Sequence, residues 1–550
     1  MGVSSSYFGK TDLRSNAIET GYGKVVGKRY CVAEGKYADA FLGIPFAKPP
    51  IGDLRFKYPE PPDSWDGVRL CLKHGDRCAQ KDLFLQYLQP RINASEDCLY
   101  LNVFAPSWDL PADQPSGRAV MVFIHGGGFV THSSANYGDE NICRHLCTKE
   151  VIVVTIQYRL GIFGFLATGD SNSIPNLGLW DQTLALKWVK ENIKQFGGNP
   201  ENITVFGQSA GGASADMLCL SPKSNKYFNK VIPIAGAVAC PWAIKTVSEI
   251  RNTAIKQAKS CGWQPPSNVS DKEINKSLVD FLRQLPSKKL GVGLQMSTEN
   301  DTFSASAYTP VLDGNFFPEP ISELRKKLPK MLCMAGTCEY EALIFMALAR
   351  GKLNIKNREK IIKTAVSDAK YNDAENLRKE IEELYFKNEM SKEEMLKSYA
   401  TLLSKMFINR GVSIFAREMA TAGHTVYLYS FQHFNNKCFG FLKFFFPFEG
   451  ATHAGELPFL FGKSPETQFT MTEDDIAARE NITTLFTNFA KYGNPNGKSD
   501  EKVWKPVSAD GPLVYLGISA KDNMMKADYE DGQEEFWKKV EDSLKVTNAA

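Results

Sequence analysis

The stretch that decides the fold is Ile203–Phe206 (ITVF), followed by Gly207–Gly211 (GQSAG) and Gly212–Ala215 (GASA). An apolar run, a G-x-S-x-G turn and a run of small residues predict a strand, a sharp turn and a helix. Glycine on both sides lets the chain turn tightly enough to lift the Ser209 hydroxyl out of the sheet. The pattern predicts a nucleophilic serine; a glycine-rich strand-to-helix loop is the plain structural alternative.

A second glycine motif lies upstream of the serine. Val120–Ile124 (VMVFI) is apolar without alternation, which predicts a buried strand, and it runs into His125–Gly128 (HGGG). Such glycines let backbone N–H groups approach an oxygen that becomes negative during reaction. We expect the N–H groups of Gly127, Gly128 and Ala210 to form an oxyanion hole, with a flexible glycine turn as the alternative.

A serine hydroxyl needs a base, and the histidines narrow the choice. In folds that carry a G-x-S-x-G turn between a strand and a helix, the catalytic residues occur along the chain in the order serine, acid, histidine. The histidines that lie far enough beyond Ser209 are His424, His433 and His453. His424 and His433 flank a strand-like run at 425–430, whereas His453 lies in a loop beyond it. We therefore expect His453 to be the base.

The acid should follow another strand between the serine and the histidine. Lys330–Ala335 (KMLCMA) predicts that strand, and the loop after it carries Glu339 and Glu341. Side-chain chemistry alone leaves both carboxylates open as the acid.

Further motifs extend over nearly the whole chain: Phe41–Ala47 (FLGIPFA), Leu54–Phe56 (LRF), Glu96–Val103 (EDCLYLNV), Tyr158–Gly161 (YRLG), Asn176–Gln182 (NLGLWDQ) and Phe196–Pro200 (FGGNP). With them the chain resembles type-B carboxylesterases, the cholinesterase-like branch of the α/β-hydrolases. The resemblance implies an α/β fold, with a large, mostly parallel central sheet flanked by helices and helical cap insertions. It also implies carboxylic ester hydrolysis through an acyl-enzyme.

The family patterns also assign residues. They place the catalytic acid on Glu341 and the base on His453, with Glu456 as a structural carboxylate nearby. The implied triad is Ser209, His453 and Glu341. A catalytically inactive adhesion or binding relative is the alternative from another functional class.

Departures from the cholinesterase pattern concern the substrate. Cholinesterases carry a tryptophan for the choline cation between the cysteines that match Cys78 and Cys98, and Ala79–Asp97 contains none. Gln208 replaces the usual glutamate before the serine, which removes a negative charge. The expected substrates are apolar, uncharged esters. Gln208 is also similar to the residue in juvenile-hormone esterases, so a lipid- or hormone-ester hydrolase is the alternative.

The resemblance suggests three residues for the substrate pocket and one disulfide. Trp242 matches a tryptophan on the acyl side, and Ser304 and Ser306 fall near the acyl-pocket phenylalanines of acetyl-specific relatives. Small residues there imply room for a longer acyl group. Cys78 and Cys98 match the pair that secreted relatives join, so they form a disulfide if oxidised.

The remaining organisation fits one large domain. Strand-like and helix-like runs alternate from Val151 to Ala235, which is typical of a mostly parallel sheet with covered faces. We divide the chain into an N-terminal segment, 1–26, and a carboxylesterase domain, 27–545. A helix-rich, charged stretch at 352–422 is interpreted as the cap or as plain amphipathic packing.

Composition limits the partners. The chain has 550 residues, 43% of them hydrophobic, and a net charge of +3. That balance predicts a large soluble enzyme without a nucleic-acid surface. The cysteines show no zinc spacing, so we expect no metal, no cofactor and a small-molecule ester as the partner.

The chain begins Met1–Ser6 (MGVSSS), which fits the signal for N-myristoylation of Gly2. One myristoyl chain binds membranes with a constant of only about 10⁴ M⁻¹, so weak, reversible membrane association is expected. No apolar leader or membrane-spanning segment is visible, which favours a cytoplasmic location.

One local oddity precedes the histidine loop. Six phenylalanines lie between Cys438 and Glu449, a stretch too short to span a bilayer. They fit the wall of an apolar gorge, an apolar rim that faces membranes, or ordinary core packing.

Overall fold

The computed structural model describes residues 13–82, 92–294, 306–349, 355–465, 467–499 and 503–545. Its strands are β1 (Ile18–Thr20), β2 (Gly23–Val26), β3 (Lys28–Ala33), β4 (Lys36–Pro45), β5 (Val68–Leu70), β6 (Arg77–Cys78), β7 (Ala94–Ser95), β8 (Tyr100–Pro106), β9 (Arg118–Ile124), β10 (Val151–Ile156), β11 (Gly198–Gln208), β12 (Lys230–Ile234), β13 (Leu332–Cys338), β14 (Thr425–Phe431), β15 (Tyr515–Ile518) and β16 (Met524–Lys526).

The helices are α1 (Glu140–His145), α2 (Gly161–Phe165), α3 (Leu177–Asn192), α4 (Ala210–Leu220), α5 (Val247–Ser260), α6 (Asp271–Gln284), α7 (Ser287–Leu290), α8 (Ile321–Lys326), α9 (Leu343–Leu348), α10 (Arg358–Ala365), α11 (Ala374–Tyr385), α12 (Lys392–Ser404), α13 (Arg410–Thr421), α14 (Leu457–Leu460), α15 (Glu473–Tyr492) and α16 (Glu534–Asp542). A π-helical turn, Lys405–Asn409, joins α12 to α13.

An eleven-stranded sheet forms the centre of the described chain, in the order β16-β15-β14-β13-β12-β11-β9-β10-β8-β4-β3. The pairs from β15 through β10 are parallel, and the strands at both ends are antiparallel. This is the mostly parallel α/β-hydrolase sheet that the sequence predicts. The chain lays β10 on one side of β9 and β11 on the other, which makes the carboxyl ends of β9 and β11 a switch point where α/β proteins bind ligands.

The strands beside the switch point are buried on both faces. Every residue of β9 and β10 is buried, which explains their unbroken apolar sequences. The small residues of α4 let this helix, which is buried along its whole length, pack closely against β11 and β12. The core therefore fixes the positions at which β9 and β11 end.

The predicted elements occur, but their bounds differ by a few residues, and β11 and α3 begin earlier than expected. The strand expected from Ile203 begins at Gly198, because residue 198 already pairs with Arg118. The helix expected from Trp180 begins three residues earlier, and a 3₁₀ turn at Ile193–Phe196 continues it. The stretch assigned to a cap contains α10 to α13.

The described part of the N-terminal segment, residues 13–26, takes part in the fold. Strands β1 and β2 pair with each other, and β2 pairs with β5 in a small three-stranded sheet. Gly2 lies outside the described residues, so its acylation stays a prediction. Within the described ranges, no helix is both long and apolar enough to cross a membrane.

Candidate active site

Ser209 lies in a strained turn between β11 and α4. Its backbone has φ 59° and ψ −122°, an unusual conformation for a residue with a side chain. The Ser209 N–H donates to the Ile234 carbonyl at 2.8 Å, which ties the turn to β12. A β-carbon on Gly211 would lie 2.0 Å from the Ile124 carbonyl oxygen, so glycine is required where α4 meets β9. The serine side chain faces a cavity at this edge of the sheet.

His453 and Glu341 form a hydrogen-bonded pair beside that cavity. The Nδ1 atom of His453 and the Oε2 atom of Glu341 are 2.5 Å apart. The backbone N–H groups of His453 and Cys338 also donate to Glu341, to its carbonyl at 3.3 Å and to its Oε1 at 2.6 Å. Glu341 is fully buried and lies in the loop after β13, whereas His453 comes from the loop after β14. The carboxylate thus fixes the imidazole with Nε2 facing away from Glu341.

The side-chain amide of Gln208 contacts His453 Nε2, the ring nitrogen with which a catalytic base would accept the serine proton. Its Nε2 lies 3.2 Å from His453 Nε2. With Nδ1–H donated to Glu341, the other ring nitrogen accepts, so the Gln208 amide donates to it. In the part of the chain that the structure describes, no hydrogen bond joins the Ser209 hydroxyl to His453. Both side chains line the same cavity.

The glycine loop after β9 borders the serine. Gly127 and Gly128 have φ values of 99° and 59°, which glycine adopts without strain. Among the described residues, the N–H groups of Gly127, Gly128 and Ala210 donate to no protein acceptor. His125, at the start of this loop, is held by its ring, which stacks on the ring of Tyr158 with the two centres 4.6 Å apart. Burial lowers the pKa of His125 to about 3, so this imidazole is neutral.

Glu456 is a second buried carboxylate, close to that of Glu341. Glu456 is 1% exposed, and its Oε2 accepts a hydrogen bond from the Cys338 thiol at 2.8 Å. Within the described chain its Oε1 has no hydrogen-bond partner. Burial, and then the neighbouring charge of Glu341, raise the pKa of Glu456 to about 7. Burial also raises the pKa of the Cys338 thiol.

The cavity at the serine has a volume of about 920 Å³. Among the described residues that line it, none is Asp, Glu, Lys or Arg, and most are apolar. Its wall beyond the serine comes mainly from four segments: Ile344–Leu348 on α9, Phe407 and Ile408 on the π-helical turn, four residues of the phenylalanine segment (Phe439, Phe441, Leu442 and Phe445), and Leu457–Pro458. Such a wall suits an uncharged organic group.

Two of the three residues suggested for the substrate pocket lie at this cavity. Trp242 lines it, and its Nε1–H donates to the Phe407 carbonyl at 2.8 Å. Ser306 also lines it, but its hydroxyl donates to the Tyr308 carbonyl at 2.7 Å. Ser304 lies outside the described residues.

Cys78 and Cys98 are joined in a disulfide, with their Cα atoms 4.9 Å apart. The bridge closes a loop whose residues 83–91 lie outside the described chain. In the described ranges, no group of three or more His, Cys, Asp or Glu side chains is arranged to hold a metal ion.

Sequence reasoning missed three features of this site. The Gln208–His453 contact joins residues 245 apart, and only the position of Gln208 beside the serine hinted at it. The bond from Cys338 to Glu456 had no sequence signal. The π-helical turn places neighbouring residues, Phe407 and Ile408, on the cavity, and a helical period of 3.6 does not predict that.

Known proteins are similar in sequence to this chain over most of its length. The sequence profile of the carboxylesterase family matches residues 14–537, which begins inside the segment 1–26. Esterase cest-33 of Caenorhabditis elegans is 38% identical, over 96% of this chain and 94% of its own length. Cholinesterase of Mus musculus is 30% identical, over 96% of this chain and 88% of its own length. The medium-chain fatty acyl-CoA hydrolase precursor of Anas platyrhynchos is 30% identical, over 96% of this chain and 92% of its own length.

The family profile, the extent of the similarity and the α/β-hydrolase sheet agree with the motifs found in the sequence. The chain therefore belongs to the type-B carboxylesterase family and is a carboxylic ester hydrolase.

Proposed function

We propose that this carboxylesterase cleaves apolar, uncharged esters with Ser209 as nucleophile, His453 as base and Glu341 as the acid that orients it. The observation that carries the proposal is the 2.5 Å contact between His453 and Glu341 at the cavity that Ser209 faces. The strained turn at Ser209 supports it, as do the N–H groups of Gly127, Gly128 and Ala210, which have no acceptor among the described residues.

The proposed reaction begins with a change of partner at His453. The Ser209 hydroxyl replaces the Gln208 amide at Nε2 and gives its proton to that nitrogen. Oγ then attacks the ester carbonyl carbon, and the oxyanion accepts hydrogen bonds from Gly127, Gly128 and Ala210. His453 returns the proton to the departing alcohol, which leaves the acyl-enzyme, and a water molecule repeats the attack to release the acid.

The cavity wall supports the choice of substrate. A cationic ester would lose its hydrating water on entering this cavity, and the described lining residues include no carboxylate that could stabilise the charge instead. Such uncompensated desolvation of a charge is costly. Ala79–Asp97 contains no tryptophan that could bind such a cation. Mouse cholinesterase is a relative at 30% identity, but this chain lacks the tryptophan of the cholinesterase pattern and has Gln208 in place of its glutamate before the serine.

The test compares butyrylcholine with 3,3-dimethylbutyl butyrate, its neutral carbon analogue. We expect kcat/KM to be at least about tenfold higher for the neutral ester, and Ser209→Ala to abolish both activities. An equal or greater kcat/KM for butyrylcholine would contradict the substrate assignment. Turnover of both esters by Ser209→Ala would contradict the nucleophile.

A lipid-ester hydrolase is the second candidate, and the size of the cavity favours it. About 920 Å³ exceeds what a short acyl group fills. One relative is named a medium-chain fatty acyl-CoA hydrolase. A series of p-nitrophenyl esters separates the candidates, because kcat/KM should rise with acyl length up to medium chains for a lipid-ester hydrolase.

The location remains a prediction. The Cys78–Cys98 disulfide is typical of oxidising compartments, which weighs against the cytoplasm expected from the N-terminal sequence. Labelling of the thiols in freshly prepared cell extracts would decide whether this pair is oxidised in the cell.

A further inference from the structure

The phenylalanines of the segment 434–446, which precedes the histidine loop, fall into two sets. The inward set consists of Phe434, Phe439 and Phe446. Phe439 is buried, Phe434 stacks on it at 5.8 Å, and Phe446 meets its edge at 5.2 Å. The outward set consists of Phe441, Phe444 and Phe445, with exposed fractions of 54%, 73% and 44%. The inward set anchors the segment, so the outward set is held in place on the surface.

The three outward rings form one patch. The ring of Phe441 lies 6.1 Å from that of Phe444 and 5.2 Å from that of Phe445. A kink at Gly440, with φ 52°, turns the chain just before them. A β-carbon at Gly440 would lie 2.5 Å from Thr467 Cγ2, so the kink depends on glycine. We call Phe441, Phe444 and Phe445 the phenylalanine patch.

The patch is continuous with the cavity that contains Ser209. Phe441 and Phe445 are exposed to solvent and also line this cavity, so they stand at its mouth. Leu442, between them, lines it as well. Whatever covers the patch therefore borders the route by which an apolar molecule enters.

Charge around the patch favours an anionic surface. Lys437 precedes the patch and Lys443 lies between Phe441 and Phe444, and the stretch 437–448 contains no acidic residue. Neither lysine forms an ion pair in the described chain, and the Lys443 Nζ lies 5.0 Å from the centre of the Phe444 ring. Exposed aromatic rings beside free lysines are typical of segments that bind the interface of anionic membranes.

We propose that the phenylalanine patch docks the enzyme on an anionic lipid surface, with the cavity mouth against the lipid. A protein partner or a second copy on the patch would cover the mouth. A lipid layer covers the same rings and can supply apolar esters directly to the cavity. The docking is separate from acylation of Gly2, and its value for catalysis rests on the proposed function.

The test measures co-sedimentation of the full chain with vesicles of phosphatidylcholine alone or with added phosphatidylserine. The protein is produced without N-myristoylation, so Gly2 contributes no lipid. We expect binding to the anionic vesicles and a partition coefficient about tenfold lower for Phe444→Ser. Leu70→Ser is the matched control, because Leu70 is 53% exposed on β5, outside the patch, and it should bind like the unchanged protein.

Charge and catalysis are tested by further variants. Lys437→Gln and Lys443→Gln should each weaken binding to the anionic vesicles by about fivefold. Phe444→Ser should hydrolyse a water-soluble short ester normally, because Phe444 does not line the cavity, but should hydrolyse a vesicle-embedded ester more slowly. Ser209→Ala should bind vesicles normally, which separates docking from the proposed chemistry.

Two results would overturn the proposal. One is equal binding of the unchanged protein and Phe444→Ser to anionic vesicles, including no binding by either. The other is a dimer of the unchanged protein in solution that Phe444→Ser dissociates, which would assign the patch to a second copy of the chain.

Discussion

Gln208 determines which atom the proposed base contacts at rest. Its amide lies 3.2 Å from His453 Nε2, the nitrogen that must receive the serine proton. A neutral amide donates a hydrogen bond to the lone pair of this nitrogen and adds no charge beside the ring. In the proposed mechanism, this amide must leave Nε2 before the Ser209 hydroxyl can bind there, and its lack of charge keeps a negative group away from the ring.

We therefore predict that Gln208→Glu shifts the acidic limb of the kcat/KM profile to higher pH by about one unit. A carboxylate at position 208 favours the protonated imidazole, which cannot act as a base. The profile is measured with p-nitrophenyl butyrate. Gln208→Leu is the control, since it removes the hydrogen bond without adding charge, and it should show no such shift. An unchanged limb in Gln208→Glu would disprove the contact.

Glu456 makes folding sensitive to pH. Its pKa is raised from 4.5 to about 7 in the folded protein by burial and by Glu341. The folded state therefore holds this proton more tightly than the unfolded state. The resulting stabilisation is complete below pH 4.5 and is lost as the pH rises through about 7.

Glu456→Gln should remove this dependence. The free energy of unfolding of the unchanged protein should fall by up to about 3 kcal/mol more than that of the variant between acidic and alkaline pH. Urea unfolding at both pH values measures it. The exposed Glu449→Gln serves as control and should follow the unchanged protein. Parallel pH curves for Glu456→Gln and the unchanged protein would show that Glu456 is ionised throughout.

The turn between β11 and α4 depends on close backbone contact. Gly211→Ala would place a methyl group 2.0 Å from the Ile124 carbonyl oxygen on β9, and neither backbone can move freely in a buried sheet. We predict a loss of at least about 2 kcal/mol in unfolding free energy and a large loss of esterase activity. Gly21→Ala is the control, because its new methyl group would lie at an ordinary 3.4 Å from its nearest neighbour, the side-chain oxygen of Asn192. Full activity in Gly211→Ala would contradict the geometry of the turn.

Sequence reasoning predicted the central strands well because burial on both faces leaves a simple signal. β9, β10 and β14 are apolar along nearly their whole length. The extension of β11 to Gly198 was not predictable, since residues 198–202 (GNPEN) are typical of turns and pair only through an irregular register. The start of α3 was missed because Asn176 begins it in a left-handed conformation without a side-chain cap.

The acid shows where residue chemistry alone stops. Glu339 and Glu341 share one loop, so composition could not separate them, and the family resemblance selected Glu341. In the folded chain Glu341 is fully buried against His453, whereas Glu339 is exposed. The direction of a side chain after a strand depends on the final turn of the backbone, which the sequence does not display.

The molecule as a whole brings together parts that are far apart in the chain. Parallel strands β9, β11, β13 and β14 end at one edge of the sheet, and the loops there carry Gly127, Ser209, Glu341 and His453. Motifs and family resemblance predicted these members. The cavity could not be predicted, because its wall combines α9, the π-helical turn and the phenylalanine segment, which carry no shared pattern.

The central claim is that this arrangement turns Ser209 into a reactive nucleophile with His453 as its base. The most direct measurement is labelling of the folded protein with a fluorophosphonate, followed by mass spectrometry of its peptides. We predict one adduct, on Ser209, that forms at least about a hundredfold more slowly in His453→Ala. An adduct on another residue, or labelling of Ser209 at the same rate without His453, would contradict the account.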